Sequence, residues 1–228
     1  MTGWQITGKS IPAGVFALAL LAGCGGGGGS SGPSPAPTPP PTVIEDPQFT
    51  EYKNRAIEMG TQDQNGRFSG IPTRDVSGMT DTATMTGFIA APPAGVATRV
   101  LIGDASVTVN FQSGAFSGSA SNFGEFALSG GCSPVADSCS GTRLQNLSGS
   151  LDIDGGVGGD GDVGFTATGA LTGDFAGQRE AADVTLVGDG YIGRNGSRDV
   201  AVGTIEGTIS AGAAIPENVE GIFYLQRN

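Results

Sequence analysis

Four aspartates in the segment DIDGGVGGDGDVGF come closest to a metal site, because carboxylate oxygens are the ligands that calcium prefers. They are Asp152, Asp154, Asp160 and Asp162. Aligned as an EF-hand loop from Asp152, the segment has Val157 where glycine is required and Val163 where the final glutamate is required. We therefore interpret the aspartates as outward residues of a strand and its hairpin loop. Weak calcium binding by these four residues is the alternative.

Residues for acid–base or nucleophilic catalysis are scarce. The chain contains no histidine, which is the commonest general base. It also contains no D-S/T-G triplet of the aspartic-protease type. We therefore predict that the protein is not an enzyme and has no catalytic residue, cofactor or dedicated metal site.

The apolar run from Ile11 to Ala22 is too short to span a bilayer permanently, and its length is typical of a secretory signal. It leads into the quartet Leu21-Ala22-Gly23-Cys24, which resembles the lipobox of bacterial lipoproteins. In that family the cysteine sulfur is diacylglycerated, the bond before it is cut, and the new N-terminus is acylated. The resemblance implies that Cys24 anchors the mature protein to a membrane without spanning it. An ordinary cleaved signal is the alternative.

Glycine, serine and proline dominate the segment after the signal, and we assign residues 24–47 to a lipidated, disordered linker. Gly25 follows Cys24, at a position where lipoproteins retained at the inner membrane of enteric bacteria tend to carry aspartate. The glycine favours an outer-membrane location. Residues 1–23 are then the signal, 48–79 an N-terminal extension with a short helix over Phe49–Met59, and 80–228 one β-domain.

Cys132 and Cys139 form the remaining cysteine pair once Cys24 is assigned to lipid. Exported compartments are oxidising, so we predict that the two thiols form a disulfide that closes a small loop. Zinc is the alternative ligand, but two cysteines without histidine supply at most half of a zinc site.

The dominant pattern after residue 80 is alternation of apolar and polar residues, which is typical of strands with one buried and one solvent-facing side. In ASVTVNFQ, for example, Val107 and Val109 face opposite to Ser106 and Thr108. The short gaps between strands favour antiparallel pairing of sequence neighbours. We predict an all-β fold, an eight-stranded antiparallel up-and-down β-barrel, with strands near residues 82–90, 97–111, 115–123, 144–153, 163–175, 183–193, 199–210 and 219–227.

Many glycines fall on the apolar side of these strands, where small barrels need space for large side chains from the opposite wall. They are Gly87, Gly149, Gly169, Gly173, Gly188, Gly190, Gly203, Gly207 and Gly221. Eight strands enclose an interior that their own side chains can fill. We therefore predict a filled barrel with little room for a ligand. The outward threonine, serine, aspartate and glutamate residues exclude a membrane-spanning barrel, which needs an apolar outer band.

Ligand-binding candidates then lie in the loops at the barrel rim. Phe123 and Phe126 precede the longest loop, which the predicted disulfide would rigidify; the alternative is that both are core residues at a strand end. Arg194 and Arg198 lie in the turn GRNGSR and stand out on a chain of net charge −11; the alternative is that they are solvated turn charges. The acidic charge argues against nucleic acid as a partner, since binding there requires neutralised phosphates.

Two segments resemble the β-barrel domain of transferrin-binding protein B and the related factor H-binding surface lipoproteins. VTVNFQSGAFSGSA (107–120) is a strand that turns through glycine into an F-S-G-type strand, and GDGYIGRNGSRDVAVGTIEG (188–207) is similar to the family's glycine-aromatic-glycine segment. The resemblance implies a cell-surface lipoprotein that binds a host protein or takes part in iron acquisition, with a TonB-dependent receptor as a further partner. The chain departs from the family in having room for one barrel rather than two lobes.

Two other functions are compatible with the same residues. One is a structural lipoprotein of the cell envelope without a specific ligand. The other is an assembly or inhibitor module that acts in the periplasm.

Overall fold

The computed structural model describes residues 45–92, 98–129, 139–175, 178–212 and 216–228. They form one helix and eight strands. These are α1 (Pro47–Met59), β1 (Thr82–Ala91), β2 (Arg99–Asn110), β3 (Ala115–Leu128), β4 (Gly141–Val157), β5 (Asp162–Phe175), β6 (Gln178–Asn195), β7 (Arg198–Ala211) and β8 (Glu217–Arg227). The signal and nearly all of the predicted linker, residues 1–44, lie outside the described residues.

Every strand pairs antiparallel with its neighbour in sequence, and β8 pairs back with β1 to close the barrel. The prediction of an eight-stranded up-and-down β-barrel after a short helix is therefore confirmed. Several strands are longer than the alternation predicts. β4, expected near 144–153, runs over Gly141–Val157, because the glycines at its end keep pairing with β5 although they add nothing to the apolar pattern.

The hairpins between β2 and β3, β4 and β5, and β6 and β7 all lie at the same end of the barrel, which we call the hairpin end. β8 ends and β1 begins at this end as well, since Met85 of β1 pairs with Arg227 of β8. The strands β2, β4 and β6 begin at the opposite end.

Three of the phenylalanines in the barrel interior form a continuous row. The rings of Phe116 and Phe165 stack with centroids 5.5 Å apart, and Phe223 meets Phe165 edge-on at 5.0 Å. Glycines provide the space for them: a Cβ at Gly188 would lie 2.2 Å from the Phe165 ring, and one at Gly203 would lie 2.5 Å from the Phe223 ring. Of the nine glycines predicted to make this space, Gly188, Gly190 and Gly203 do so. At most of the others a Cβ would first meet the backbone of the neighbouring strand, and Gly149 is exposed.

A second core lies outside the barrel wall, between the wall and the N-terminal extension. Phe49 of α1 packs against Phe126 with ring centroids 5.8 Å apart, and Tyr52 meets Phe88 edge-on at 5.3 Å. All four rings are at most 3% exposed. The wall contributes the outward residues of strand segments that are apolar on both faces, such as GFIAA in β1 and DVAVG in β7. A strand covered on both faces reads as a continuous apolar run rather than as an alternation.

Helix α1 begins at Pro47, two residues before the predicted Phe49 and inside the range assigned to the linker. The carboxylate of Asp46 accepts a hydrogen bond from the backbone N–H of Gln48 at 3.0 Å and so caps the helix. Arg143 of β4 holds the same carboxylate through two hydrogen bonds of 2.7 and 2.9 Å. These hydrogen bonds and the charge of Arg143 keep the pKa of Asp46 below its ordinary value, against the opposing effect of burial.

The rest of the extension is fastened to β6. The hydroxyl of Tyr191 donates to the carbonyl of Ile71 at 2.8 Å and accepts from the backbone N–H of Phe68 at 2.9 Å. Thr73 then forms a β-bridge with Gly193. Burial raises the pKa of Tyr191, so the hydroxyl stays protonated and can keep donating to Ile71.

Replacing Gly188 by alanine should lower the free energy of unfolding by about 1–3 kcal/mol, because the new methyl group would overlap the Phe165 ring. Gly164 of β5 is the matched control, since a Cβ there meets nothing within 4 Å. Gly164→Ala should change the stability by less than about 0.5 kcal/mol. Urea unfolding of both variants checks this, and equal losses would contradict the packing described.

Replacing Asp46 by asparagine keeps a good helix cap but removes the charged pair with Arg143. At pH 7 the variant should be about 1–2 kcal/mol less stable than the parent. The folded-state pKa of Asp46 is lowered, so its contribution is complete above the ordinary carboxyl pKa of 3.8 and is lost as the pH falls through the lowered value. The difference in urea-unfolding free energy should therefore shrink on acidification. A difference that stays constant down to pH 2, or that grows, would contradict the ion pair.

Candidate functional site

Of the three cysteines with a predicted role, only Cys139 lies among the described residues. Cys24 and Cys132 lie outside the described residues, while Cys139 is disulfide-bonded and 1% exposed. The carbonyl of Cys139 accepts a hydrogen bond from Lys53 of α1 at 3.1 Å. Cys139 thus belongs to the second core, beneath the helix.

The two phenylalanines predicted as rim residues are core residues instead. Phe123 points into the barrel interior and is 3% exposed, and Phe126 packs beneath α1 with no exposed surface. Arg143 covers the Phe126 ring, with its guanidinium carbon 4.6 Å from the ring centroid. Side chains of a strand alternate between its two faces, so two phenylalanines three positions apart face opposite sides of the wall. Neither ring can form a binding surface.

The four aspartates of the calcium alternative do not converge on one point. Asp152 and Asp154 are outward residues of β4, whereas Asp162 forms an ion pair with Arg67 at 2.7 Å and Asp160 accepts from a backbone N–H of its own turn. Within the described ranges, no group of three or more histidine, cysteine, aspartate or glutamate residues could hold a metal ion. The four aspartates lie where the preferred interpretation puts them, on the outer face of a strand and in its hairpin loop.

Two further arginines lie beside Arg194 and Arg198, although nothing in the sequence predicts that they are close in space. Arg74 comes from the N-terminal extension, and Arg227 is the last residue of β8. All four surround Asp199 of β7, at the hairpin end of the barrel. We call this group the arginine pocket; it is an open depression of about 530 Å³ lined by Arg74, Arg194, Ser197, Arg198, Asp199, Arg227 and Asn228.

Backbone hydrogen bonds bring these residues together. The segment after Ile71 lies alongside the end of β6: Arg74 donates its N–H to the carbonyl of Ile192 at 3.0 Å, and Arg194 donates its N–H to the carbonyl of Pro72 at 2.9 Å. The tight turn between β6 and β7 requires a left-handed residue, which Gly196 supplies with φ +61°. Arg194 and Asp199 are directly paired across this hairpin.

Asp199 is the one buried charged residue among the described residues, at 5% exposure. Its carboxylate forms an ion pair with Arg74 and lies 3.4 Å from Nη1 of Arg227 and 3.8 Å from Nε of Arg194. A buried carboxylate needs such partners, because removing the charge from water is costly. Asp199 therefore links the extension, the β6–β7 hairpin and the last strand.

The arginine pocket carries more positive than negative charge. Four guanidinium groups face Asp199 and Asp81, and the latter pairs with Arg227. Arg198 forms no ion pair with any described residue and is exposed. Burial lowers the pKa of Arg74, and the neighbouring cations Arg194 and Arg227 lower it further. With Asp81 counted beside its lining residues, the arginine pocket has two more cationic than anionic side chains on a chain of net charge −11.

A second depression, of about 540 Å³, lies on the outer wall beside α1 and is acidic, whereas the arginine pocket is basic. Glu206 of β7 is directly opposite Glu220 of β8, next to the exposed Val187 of β6. Like charges directly opposite each other in a sheet are unfavourable. The outer wall is thus acidic where the hairpin end is basic.

The chain was compared with protein-family models, with curated proteins and with solved structures, and none of them matches it. Among the residues that the structure describes, no helix is both long enough and apolar enough to cross a membrane.

Replacing Asp199 by asparagine should lower the free energy of unfolding by about 2–4 kcal/mol, because Arg74, Arg194 and Arg227 then lose their shared counter-charge. Asp189, an exposed aspartate of β6, is the control, and Asp189→Asn should leave the stability within about 0.5 kcal/mol of the parent. Thermal and urea unfolding measure both. If Asp199→Asn proves as stable as Asp189→Asn, Asp199 does not link the three elements.

Proposed function

We propose that the chain is a surface-exposed lipoprotein of the outer membrane, anchored through Cys24, whose barrel is a binding protein. The observation that carries the proposal is the arginine pocket, which concentrates four cations at the hairpin end of an otherwise acidic molecule. A purely structural envelope protein does not need such a concentration, because like charges repel each other and raise the free energy of the folded state.

Because side chains fill the barrel interior, we expect a ligand to bind on the outside of the barrel. Its inward side chains form one continuous cluster, with aromatic rings fitted against glycines. Small barrels of eight strands either fill with side chains in this way or hold one small ligand. A filled barrel is a rigid scaffold, and rigid scaffolds position binding residues at their loops and ends.

The arginine pocket also lies away from the point where the linker joins the described chain. Asp46 is held by Arg143, two residues into β4 and so near the end of the barrel opposite to the hairpin end. A tether that enters there leaves the hairpin end free for a partner. The resemblance to transferrin-binding protein B adds a host protein or an iron carrier as the kind of partner, with a TonB-dependent receptor beside it.

The anchor is tested by labelling cells with radioactive palmitate. The parent protein should incorporate label and sediment with membranes, and Cys24→Ala should do neither, because the sulfur that receives the lipid is gone. Ser30→Ala, in the same segment, should behave as the parent. Label in the Cys24→Ala variant would contradict lipidation at this residue.

Surface exposure is tested by adding proteinase K to intact cells and probing the barrel by immunoblot. The barrel should be lost from intact cells while a periplasmic marker protein survives. Protection in intact cells, with loss only after the outer membrane is opened, would replace this proposal by the periplasmic assembly or inhibitor module.

A further inference from the structure

We infer that the arginine pocket binds a dianionic oxyanion group of the phosphate or sulfate type, either free or as part of a small molecule. The inference rests on the proposed binding role of the barrel and names its ligand. It does not rest on the lipid anchor or on surface exposure.

The need to balance the buried charge of Asp199 explains the presence of only three of the four arginines. Arg74, Arg194 and Arg227 lie within 4 Å of its carboxylate and so help to hold the extension, the hairpin and the last strand together. Arg198 forms no ion pair with any described residue, yet it lies in the same depression. Arg198 is therefore free to pair with an anion that binds beside it, and such an anion would offset the repulsion among the four cations.

The guanidinium groups also have donors to spare. Arginine carries five N–H donors, while a single carboxylate shared by three arginines offers about four acceptor sites. Arg194 remains 53% exposed, and its Nε is 3.8 Å from Asp199, beyond hydrogen-bonding distance. Arg194 and Arg198 can therefore turn their donors towards a ligand without breaking the contacts of Arg74.

The charge of the arginine pocket favours a dianion. Among the described side chains, Asp199 and Asp81 form ion pairs with these arginines, so the side chains alone leave two positive charges in excess. Beside the effect of burial, the cations Arg194 and Arg227 lower the pKa of Arg74, because like charges repel one another. Two added negative charges would remove that repulsion, and planar guanidinium forks match the oxygens of phosphate and sulfate in pairs.

The size and surroundings of the arginine pocket suit a small ligand. A volume of about 530 Å³ holds a molecule of the size of a sugar phosphate. The hydroxyl of Ser197 and the amide of Asn228 supply neutral polar groups at the same place. The acidic outer wall, with Glu206 and Glu220 facing each other, would repel an extended polyanion or an anionic membrane surface.

The test is isothermal titration calorimetry of the full-length protein in neutral detergent at low salt, with inorganic pyrophosphate, phosphate and sulfate as probes. Pyrophosphate should bind saturably with one site per chain, and the affinity should fall as salt is added. Arg198→Gln should weaken binding about tenfold. Arg179→Gln removes an exposed arginine at the opposite end of the barrel and should leave binding unchanged.

Two further measurements make the result unambiguous. Thermal unfolding should show Arg198→Gln to be as stable as the parent, since Arg198 forms no ion pair with any described residue, so that a loss of binding is not a loss of fold. Citrate is the probe for carboxylate ligands. Binding of citrate in preference to pyrophosphate, no saturable heat with any oxyanion, or equal affinities for the two arginine variants would each overturn the assignment.

Short-chain phosphatidic acid, used below its micelle concentration, separates two sources of the same phosphate group. Competition with pyrophosphate would identify a lipid headgroup as a ligand, and absence of competition would identify a soluble phosphorylated molecule; either result is consistent with the assigned chemistry. All of these measurements use purified protein. A failure of the surface-exposure experiment therefore leaves them unaffected, and a failure of anion binding leaves the lipid anchor and the surface location standing.

Discussion

The packing of phenylalanine rings against glycines inside the closed barrel is the interaction on which the other features depend. Phe165 contacts both Phe116 and Phe223, and the Cβ-free backbone of Gly188 lets its ring lie against the wall. Because β8 pairs with β1, the row of rings is enclosed on all sides. An enclosed and occupied interior gives rigidity. The described hairpin end and outer wall then differ in charge, since four arginines lie at the former and Glu206 faces Glu220 on the latter.

The N-terminal extension connects this interior to the candidate site. It covers an apolar part of the outer wall, where Phe49 and Tyr52 pack against residues of β3 and β1. The same packing aligns residues 72–74 with the end of β6 and so delivers Arg74 to Asp199. A chain segment that first serves to bury apolar surface thus completes the arginine pocket. The buried carboxylate holds this arrangement, and it also limits how much positive charge remains for a ligand.

The strands could be predicted because alternation and inward glycines are local patterns with one physical cause, a single buried face. The second core could not, because its strands are covered on both sides; the continuous runs around Phe88 and Val200 carried that signal without showing what covers them. Phe126, expected at the rim, is buried because Phe49 of α1 covers the face of β3 to which it points. The sequence shows Arg194 and Arg198 as cations in a turn, but the other arginines beside them are placed there by tertiary contacts. Only the pairing of the extension with β6 and the closure by β8 bring Arg74 and Arg227 to the same place.

The central claim is that a filled barrel recognises its ligand with the basic hairpin end. Backbone amide chemical shifts, recorded by NMR on the isotope-labelled protein while pyrophosphate is added, test it most directly. The account predicts shifts that saturate and cluster at residues 72–74, 194–199 and 226–228, with inward residues such as Gly188 and Gly203 unaffected. Saturating shifts centred on the inward residues would show that the barrel has a usable interior cavity. That result, or the absence of any saturating shift, would contradict the account.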